Sequence, residues 1–399
     1  MKVLHVLASD STSWGGPPRV VRDLTGELGR LGVENVVVAL SSRDSPPIKF
    51  SNNTTLVECG IAAIPKLAIP ASMNLVQKLV REIGAADLVH IHELWHLPHL
   101  VGALISRVMD VPYIVSPHGE LQPWPLTRHR LLKRIAWLSY EKQILADCLG
   151  IHTLTSLEKG AVTALCPGIP LVVIPNGLDV RQIDRDLEVV PSLRAVHGRL
   201  TQPYLLFVGR LAPEKGLDLL LDAFSIVHRA RREMSLVLAG PDEFGLWGAL
   251  KERARDLGIA QRVIYLGTVN EPNKYRLFAS AHAFLLPSIS EGLSVSLLEA
   301  LACGTPAIIT TACNLPEVET AGAGRVVEPI PELFARAVQD TLQDGTAREK
   351  MKANARQLVS SRFSIRSMAT KMLVFYDEVL ARQSSPFSGG GIAAAIGNN

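Results

Sequence analysis

The sequence predicts an α/β protein made of two doubly wound, parallel-sheet domains, and three observations carry that expectation. Short runs rich in Val, Ile and Leu alternate with longer amphipathic stretches, the pattern of parallel strands buried between helices. These runs fall into two sets with a polar stretch between them. At 399 residues the chain is long enough for two cores of ordinary size.

The first set is "KVLHVLA", "NVVVAL", "DLVHIH", "YIVSPH", "IHTLT" and "LVVIPN", and the second is "YLLFVGR", "SLVLAG", "RVIYLG", "AFLLPS" and "PAIIT". Between them "RQIDRDLEVVPSLRAVHGRLTQP" is polar and lacks strand signals, which places the boundary near residues 180 to 200. The expected organisation is a first domain over 1–185, a second over 198–365, a helix over 366–383 and a loose Gly- and Ser-containing tail over 384–399. Within the polar stretch, "DRD" at Asp184 to Asp186 has the look of a metal motif but follows no strand, and reads as a solvated charge cluster.

Composition narrows the function classes. Apolar residues make up 47% and charged residues 20%, as in a folded globular protein. The balance of 41 basic against 38 acidic residues is too even to imply nucleic-acid binding. Cys59, Cys148, Cys166, Cys303 and Cys313 are odd in number and show no C-x-x-C spacing, so neither a disulfide framework nor a zinc knuckle is expected, and a reducing cytoplasm fits. The apolar run in "MKVLHVLASDS" is too short for a signal peptide, and no segment reaches the roughly 18 to 20 apolar residues that span a bilayer.

The stretch "HIHELWHLPH" contains His92-Glu93-x-x-His96, a spacing that in zinc metallopeptidases puts both histidines on one helical face. Here "ADLVHIH" alternates like a strand ending at His92, and a helix can begin only after "LW", near Pro98. A third ligand at metzincin spacing is missing, because His99 and Gly102 stand where Gly and His are needed. No metal is therefore expected. What remains is a histidine-bearing loop at the carboxyl end of a parallel strand, where open α/β sheets bind ligands. "SPHGE" is a second such loop, with His118 beyond a strand and Gly119 allowing close backbone approach. Two such loops suit a hydroxyl-rich ligand, while His90, inside the strand, reads as a satisfied buried histidine.

"PSISEGLSVSLLEALACGTPAIIT" is the most specific block. Glu291 lies just ahead of a helix expected from about Ser294 to Cys303, and Glu299 lies inside it, about 12 Å away along the axis. Two carboxylates so separated cannot form one acid/base pair. They suit the two ends of an elongated ligand whose anionic middle rests on the amides of Gly292, Leu293 and Ser294. In "FVGRLAPEKG", Arg210 and Lys215 add two cations at the end of another strand, where they can neutralise a departing diphosphate.

"GRLAPEKG", "SEGLSVSLLEALACGTPAI", "VIPNGLD" and the loop "WGGPPRVV" together resemble the retaining nucleotide-sugar glycosyltransferases of family 4, over Met1 to about Arg382. The resemblance implies the GT-B fold, two Rossmann-like domains facing a cleft. It implies a UDP-, GDP- or ADP-sugar donor, a hexose transferred to a glycan or lipid-linked acceptor, no cofactor and no required metal. By position it assigns Arg210 and Lys215 to the donor diphosphate, Glu291 to the sugar hydroxyls, Glu299 to the ribose and His118 to the sugar near its reacting carbon. Gly16 would let the N-terminal loop approach acceptor and phosphate, with Gly15, His92 and Glu120 on the acceptor side. Leu293 and Ser294 depart from the commoner Phe and Gly of "PEGFG" and "SEGFG", which bears on sugar identity rather than reaction type.

"QPWPLTRHRLLKRIAWLSYEKQIL" reads as a basic helix with an oily face, suited either to packing inward or, over 124–145, to peripheral contact with the inner membrane face. Rival readings with the same fold are a sugar-nucleotide epimerase, a phosphorylase or a noncatalytic sugar-nucleotide-binding protein. A dehydrogenase is disfavoured because "ASDSTSWGG" after the first strand lacks G-x-G-x-x-G.

Overall fold

Parallel neighbours need crossovers long enough to hold a helix, and both halves of the chain obey that rule. The computed structural model describes residues 1–11, 15–41, 48–60, 62–63, 70–71, 74–190, 192–193, 200 and 203–383. The expected tail over 384–399 and part of the expected linker, 194–199, lie outside the described residues. The chain divides into two compact units, Met1–Ile174 with the chain from Met368, and Pro175–Ser367.

The first unit contains β1 (Lys2–Leu7), β2 (Glu34–Ser41), β3 (Thr54–Gly60), a short antiparallel pair of β4 (Ala62–Ala63) and β5 (Pro70–Ala71), then β6 (Leu88–His92), β7 (Tyr113–Ser116), β8 (Gly150–Thr153) and β9 (Leu171–Val173). Its main sheet runs in the order β3-β2-β1-β6-β7-β8-β9, all parallel. The second unit has β10 (Tyr204–Val208), β11 (Ser235–Ala239), β12 (Val263–Tyr265), β13 (Ala283–Leu286), β14 (Ala307–Thr310) and β15 (Gly324–Val327), in the order β12-β11-β10-β13-β14-β15. Each order reverses once, between β1 and β6 and between β10 and β13, which makes each reversal a switch point.

The central strands are buried along their whole length, so their near-continuous apolar composition follows from being covered on both faces. In the second unit the helix Leu217–Ala230 lays Leu217, Leu220, Leu221, Phe224 and Val227 inward at helical spacing. Each such side chain contributes about 1.5 to 3 kcal/mol by leaving water. The five cysteines are free and buried. No helix among the described residues is long and apolar enough to cross a membrane.

"RQIDRDLEVV" keeps its solvated polar face but departs from its reading as a linker between domains. It forms the helix Val180–Val189, capped by the Asp179 carboxylate, which accepts from the Gln182 amide at 3.1 Å. Arg356 pairs with Asp184 at 2.8 Å, and Arg276 donates to the Leu187 carbonyl, so ion pairing and backbone capture hold the "DRD" segment in the second unit. The sequence placed this boundary at 185–198, whereas the units divide after Ile174.

The last helix, Ile365–Gln383, buries Met368, Met372, Phe375, Tyr376 and Val379, and from Met368 onward it belongs to the first unit. Gly150 makes room for it, since a β-carbon there would lie 2.7 Å from the Phe375 ring. The Tyr376 hydroxyl meets His90 Nδ1 at 2.7 Å inside the sheet. Tyr376→Phe leaves that buried nitrogen without a partner and should lower stability by about 1 to 3 kcal/mol. Urea unfolding checks this, and an unchanged midpoint would mean that the contact does not hold the helix.

Candidate active site

In the second unit the site grows from the ends of β10 and β13. After Val208 the chain passes Gly209 and Arg210 into a tight turn, Pro213–Lys215. Gly216 then adopts φ 64°, and a β-carbon there would sit 2.1 Å from the Pro287 carbonyl oxygen, so only glycine lets this turn rest on the exit of β13. The Ile289 amide secures the contact by donating to the Glu214 carbonyl at 2.8 Å. As a result Lys215 Nζ reaches Glu291 Oε1 at 2.7 Å, and the Ser288 hydroxyl donates to the same oxygen at 2.6 Å. Arg210, 36% exposed, lies 3.6 Å from Glu214 and 3.4 Å from Glu243.

The helix beyond Glu291 spans Val295–Ala302, one residue shorter at each end than expected, because Ser294 caps it by accepting from the Leu297 amide at 3.4 Å. Residues 291–294 form a loop, so the helical rise used for the Glu291–Glu299 separation applies only from Val295 onward. The amides of Gly292, Leu293 and Ser294 have no hydrogen-bond partner among the described residues. Glu299 pairs with Lys274 at 2.7 Å, each side chain 4% exposed. Sequence reasoning missed Lys274, although its signal is readable: it falls among the buried positions Tyr275, Leu277 and Phe278 of the helix Glu271–Ser280. Neither glutamate belongs to a solvated face. Each carboxylate has a lysine within hydrogen-bond reach, as burial of charge demands.

In the first unit β6 ends at His92, and Glu93 and Trp95 take φ 65° and 66° before the helix Leu97–Val108 begins. His96 is the cap of that helix and lies 3.9 Å from Glu120, so His92 and His96 do not share a helical face. The metallopeptidase alternative ends on that geometry. Glu120 accepts from the Leu94 amide, and burial together with Glu93 raises its pKa well above the carboxylate range. His118 has φ 52°, a left-handed conformation that turns the chain sharply out of β7. The Gly119 amide donates to Glu158 Oε1 at 2.6 Å, because that fully buried carboxylate needs donors. Gly15, at φ 110°, precedes the helix Gly16–Arg30, with Gly16 as its first residue.

A network of histidines unites these loops. His5 and His90 are register partners across β1 and β6. His5 Nδ1 meets His92 Nε2 at 3.1 Å, and His92 Nδ1 meets His118 Nε2 at 3.1 Å. His90 bonds Tyr376 at 2.7 Å and Ser116 at 2.6 Å, and Ser116 bonds His152 Nδ1 at 2.7 Å. His90 is thus the satisfied strand histidine expected. Ring nitrogens of His5, His90 and His92 lie within 4.8 Å of one another, close enough for a metal ion, yet each already has a hydrogen-bond partner. The sequence signal for this network is a histidine inside three apolar strands, "KVLHVL", "LVHIH" and "GIHT".

Comparison with known proteins fits both halves. The family model for Glycosyltransferase Family 4 matches residues 14–182, and that for Glycosyl transferases group 1 matches residues 190–358. The O-antigen chain mannosyltransferase B of Escherichia coli is 32% identical over 300 residues, covering 73% of this chain and 74% of that protein. The chain belongs to the group 1 glycosyltransferases. Its fold is GT-B: sucrose-phosphate synthase from Thermosynechococcus elongatus, 19% identical, superposes with a TM-score of 0.75 over 96% of this chain and 100% of that one. Anabaena HepE, solved in complex with UDP-glucose and 20% identical, gives a TM-score of 0.74 over 95% and 100%.

Burial lowers the pKa of His5 and His152 from 6.5 to about 4 and of His118 to about 3. With folded pKa values below unfolded ones, the unfolded glycosyltransferase binds more protons as pH drops below 6.5, so these residues favour folding above that pH and the benefit is lost below it. The urea midpoint should therefore fall between pH 6.5 and 5, and a flat midpoint over that window would show that these imidazoles are not held neutral.

Proposed function

We propose that this glycosyltransferase moves a hexose, with retention, from a nucleoside-diphosphate sugar to a hydroxyl of a glycan or lipid-linked acceptor in cell-envelope, exopolysaccharide or glycolipid assembly. The observation that carries the reading is the Lys215–Glu291 pair beside Arg210 at the second unit's switch point, next to the unpartnered amides of residues 292–294. Arg210 and Lys215 neutralise the diphosphate, Glu291 takes the sugar hydroxyls, Glu299 takes the ribose, and His118 attends the sugar near its reacting carbon. Gly16 serves the donor phosphate, and Gly15, His92 and Glu120 serve the acceptor. The Anabaena relative was solved with UDP-glucose, which favours UDP among UDP, GDP and ADP.

As the bond from the anomeric carbon to the diphosphate oxygen breaks, the acceptor oxygen attacks from the same face, and a phosphate oxygen of the leaving group takes the acceptor's proton. No carboxylate nucleophile and no metal is needed, because fixed cations and helix-terminal amides stabilise the departing charge. The test is hydrolysis of a panel of nucleotide sugars in excess EDTA. Turnover should survive the chelator, and Arg210→Ala should lower it roughly a hundredfold. Rescue of a chelated enzyme by a divalent ion, or near-normal turnover in the variant, would refute the metal-free phosphate site.

The basic segment supports a site of work at the cytoplasmic face of the inner membrane. Rather than packing inward, Leu131, Leu132, Ile135 and Leu138 are 71%, 67%, 54% and 72% exposed on one face, and Arg130 and Arg134 are exposed beside them. Charge complementarity selects an anionic lipid surface. The protein should cosediment with vesicles containing phosphatidylglycerol, and Leu132→Glu with Ile135→Glu should release it. Equal binding to neutral vesicles, or no effect of the substitutions, would count against this surface.

A further inference from the structure

The first unit's histidines have a direction. Asn35, 1% exposed on β2, donates through Nδ2 to the carbonyls of Thr25 at 3.2 Å and Val33 at 2.9 Å. Carbonyls only accept, so the amide is locked with Oδ1 toward His5 Nε2, 3.3 Å away, and that nitrogen must carry the proton. A neutral imidazole has a single N–H, which leaves His5 Nδ1 bare to accept from His92 Nε2. By the same rule His92 Nδ1 is bare and accepts from His118 Nε2. The series ends at His118 Nδ1, which has no hydrogen-bond partner among the described residues.

We propose that Asn35, acting through His5 and His92, holds His118 in one tautomer, its Nε2–H turned inward and its Nδ1 bare to accept a hydrogen bond from a substrate hydroxyl. The proposal rests on the reading that His118 touches substrate. Asn35, His5 and His92 are then positioning residues. Burial keeps the three imidazoles neutral, so no extra proton blurs the direction. A bare nitrogen attracts a hydroxyl and repels a phosphate oxygen, so the tautomer sorts the sugar end of the donor from its diphosphate end. A second series runs separately: the Ile174 carbonyl accepts from His152 Nε2 at 2.7 Å, which orients Ser116 toward His152, His90 toward Ser116 and the Tyr376 hydroxyl toward His90. It shares no hydrogen bond with the first and provides an internal control.

The test is long-range 1H–15N spectroscopy of the full chain labelled with 15N-histidine, without ligand, at neutral pH, with His118 assigned by its loss in His118→Gln. The expected spectrum has His5, His92 and His118 all protonated at Nε2 alone. Asn35→Leu removes the acceptor while filling its space, and should turn His118 into a mixture of tautomers. Tyr376→Phe breaks only the second series and should leave His118 unchanged. A wild-type His118 protonated at Nδ1, or mixed, overturns the relay whether or not Asn35→Leu folds. So does displacement of these resonances by one equivalent of zinc, which would make the cluster a metal site. If the tautomer is fixed but His118→Gln transfers normally from a donor found in the panel, the substrate contact at His118 is refuted while the rest of the transferase reading stands.

Discussion

Both candidate sites depend on the reversal of strand order beside β1 and β10. Where crossovers leave a parallel sheet in opposite directions, no helix roofs the carboxyl ends between them, and the chain must leave through loops. Those loops carry amides and side chains that regular structure has not consumed. In the second unit they pair Lys215 with Glu291 and hold Arg210 against Glu214, and in the first β6 ends beside the reversal at His92, which bonds His118 beyond the neighbouring strand β7.

The two units handle buried polarity in different ways. The second uses charge against charge: Lys215 with Glu291, and Lys274 with Glu299. A carboxylate taken from water without such a partner would protonate or pull the loop open. The strands of the first instead carry neutral imidazoles bonded to one another, to hydroxyls and to an amide, so its sheet tolerates histidines that would otherwise have to stay charged and wet. Ion pairs can be redistributed by an incoming anion, whereas a neutral network holds its shape.

The strands were readable because period and burial leave a mark on composition, and "LVHIH" showed its end at His92 without help from structure. Arg210, Lys215 and Glu291 were readable for the same reason, since each follows a recognisable strand. Partners distant in sequence were not. Lys274 looks like one surface lysine among many until its helix is docked, and Asn35 carries no local sign that its amide is aimed at His5. The helix Val180–Val189 was hidden because its polar face dominates its composition, while what holds it, Arg276 and Arg356, lies far along the chain. Glu158, which takes the Gly119 amide, was hidden in the same way, because it lies 39 residues further along the chain.

The return of the last helix to the first unit makes the second unit, in topological terms, an insertion between Ile174 and Met368. A ribosome therefore delivers every described strand of the first sheet before the second unit and its closing helix after it. Until Tyr376 emerges, His90 Nδ1 lacks its donor and the surface that Phe375 covers beside Gly150 stays open. The inserted unit has all of its strands by then and can fold while its host waits. Biosynthesis thus runs inside out: the unit whose sheet is made first is completed only after the unit inserted into it.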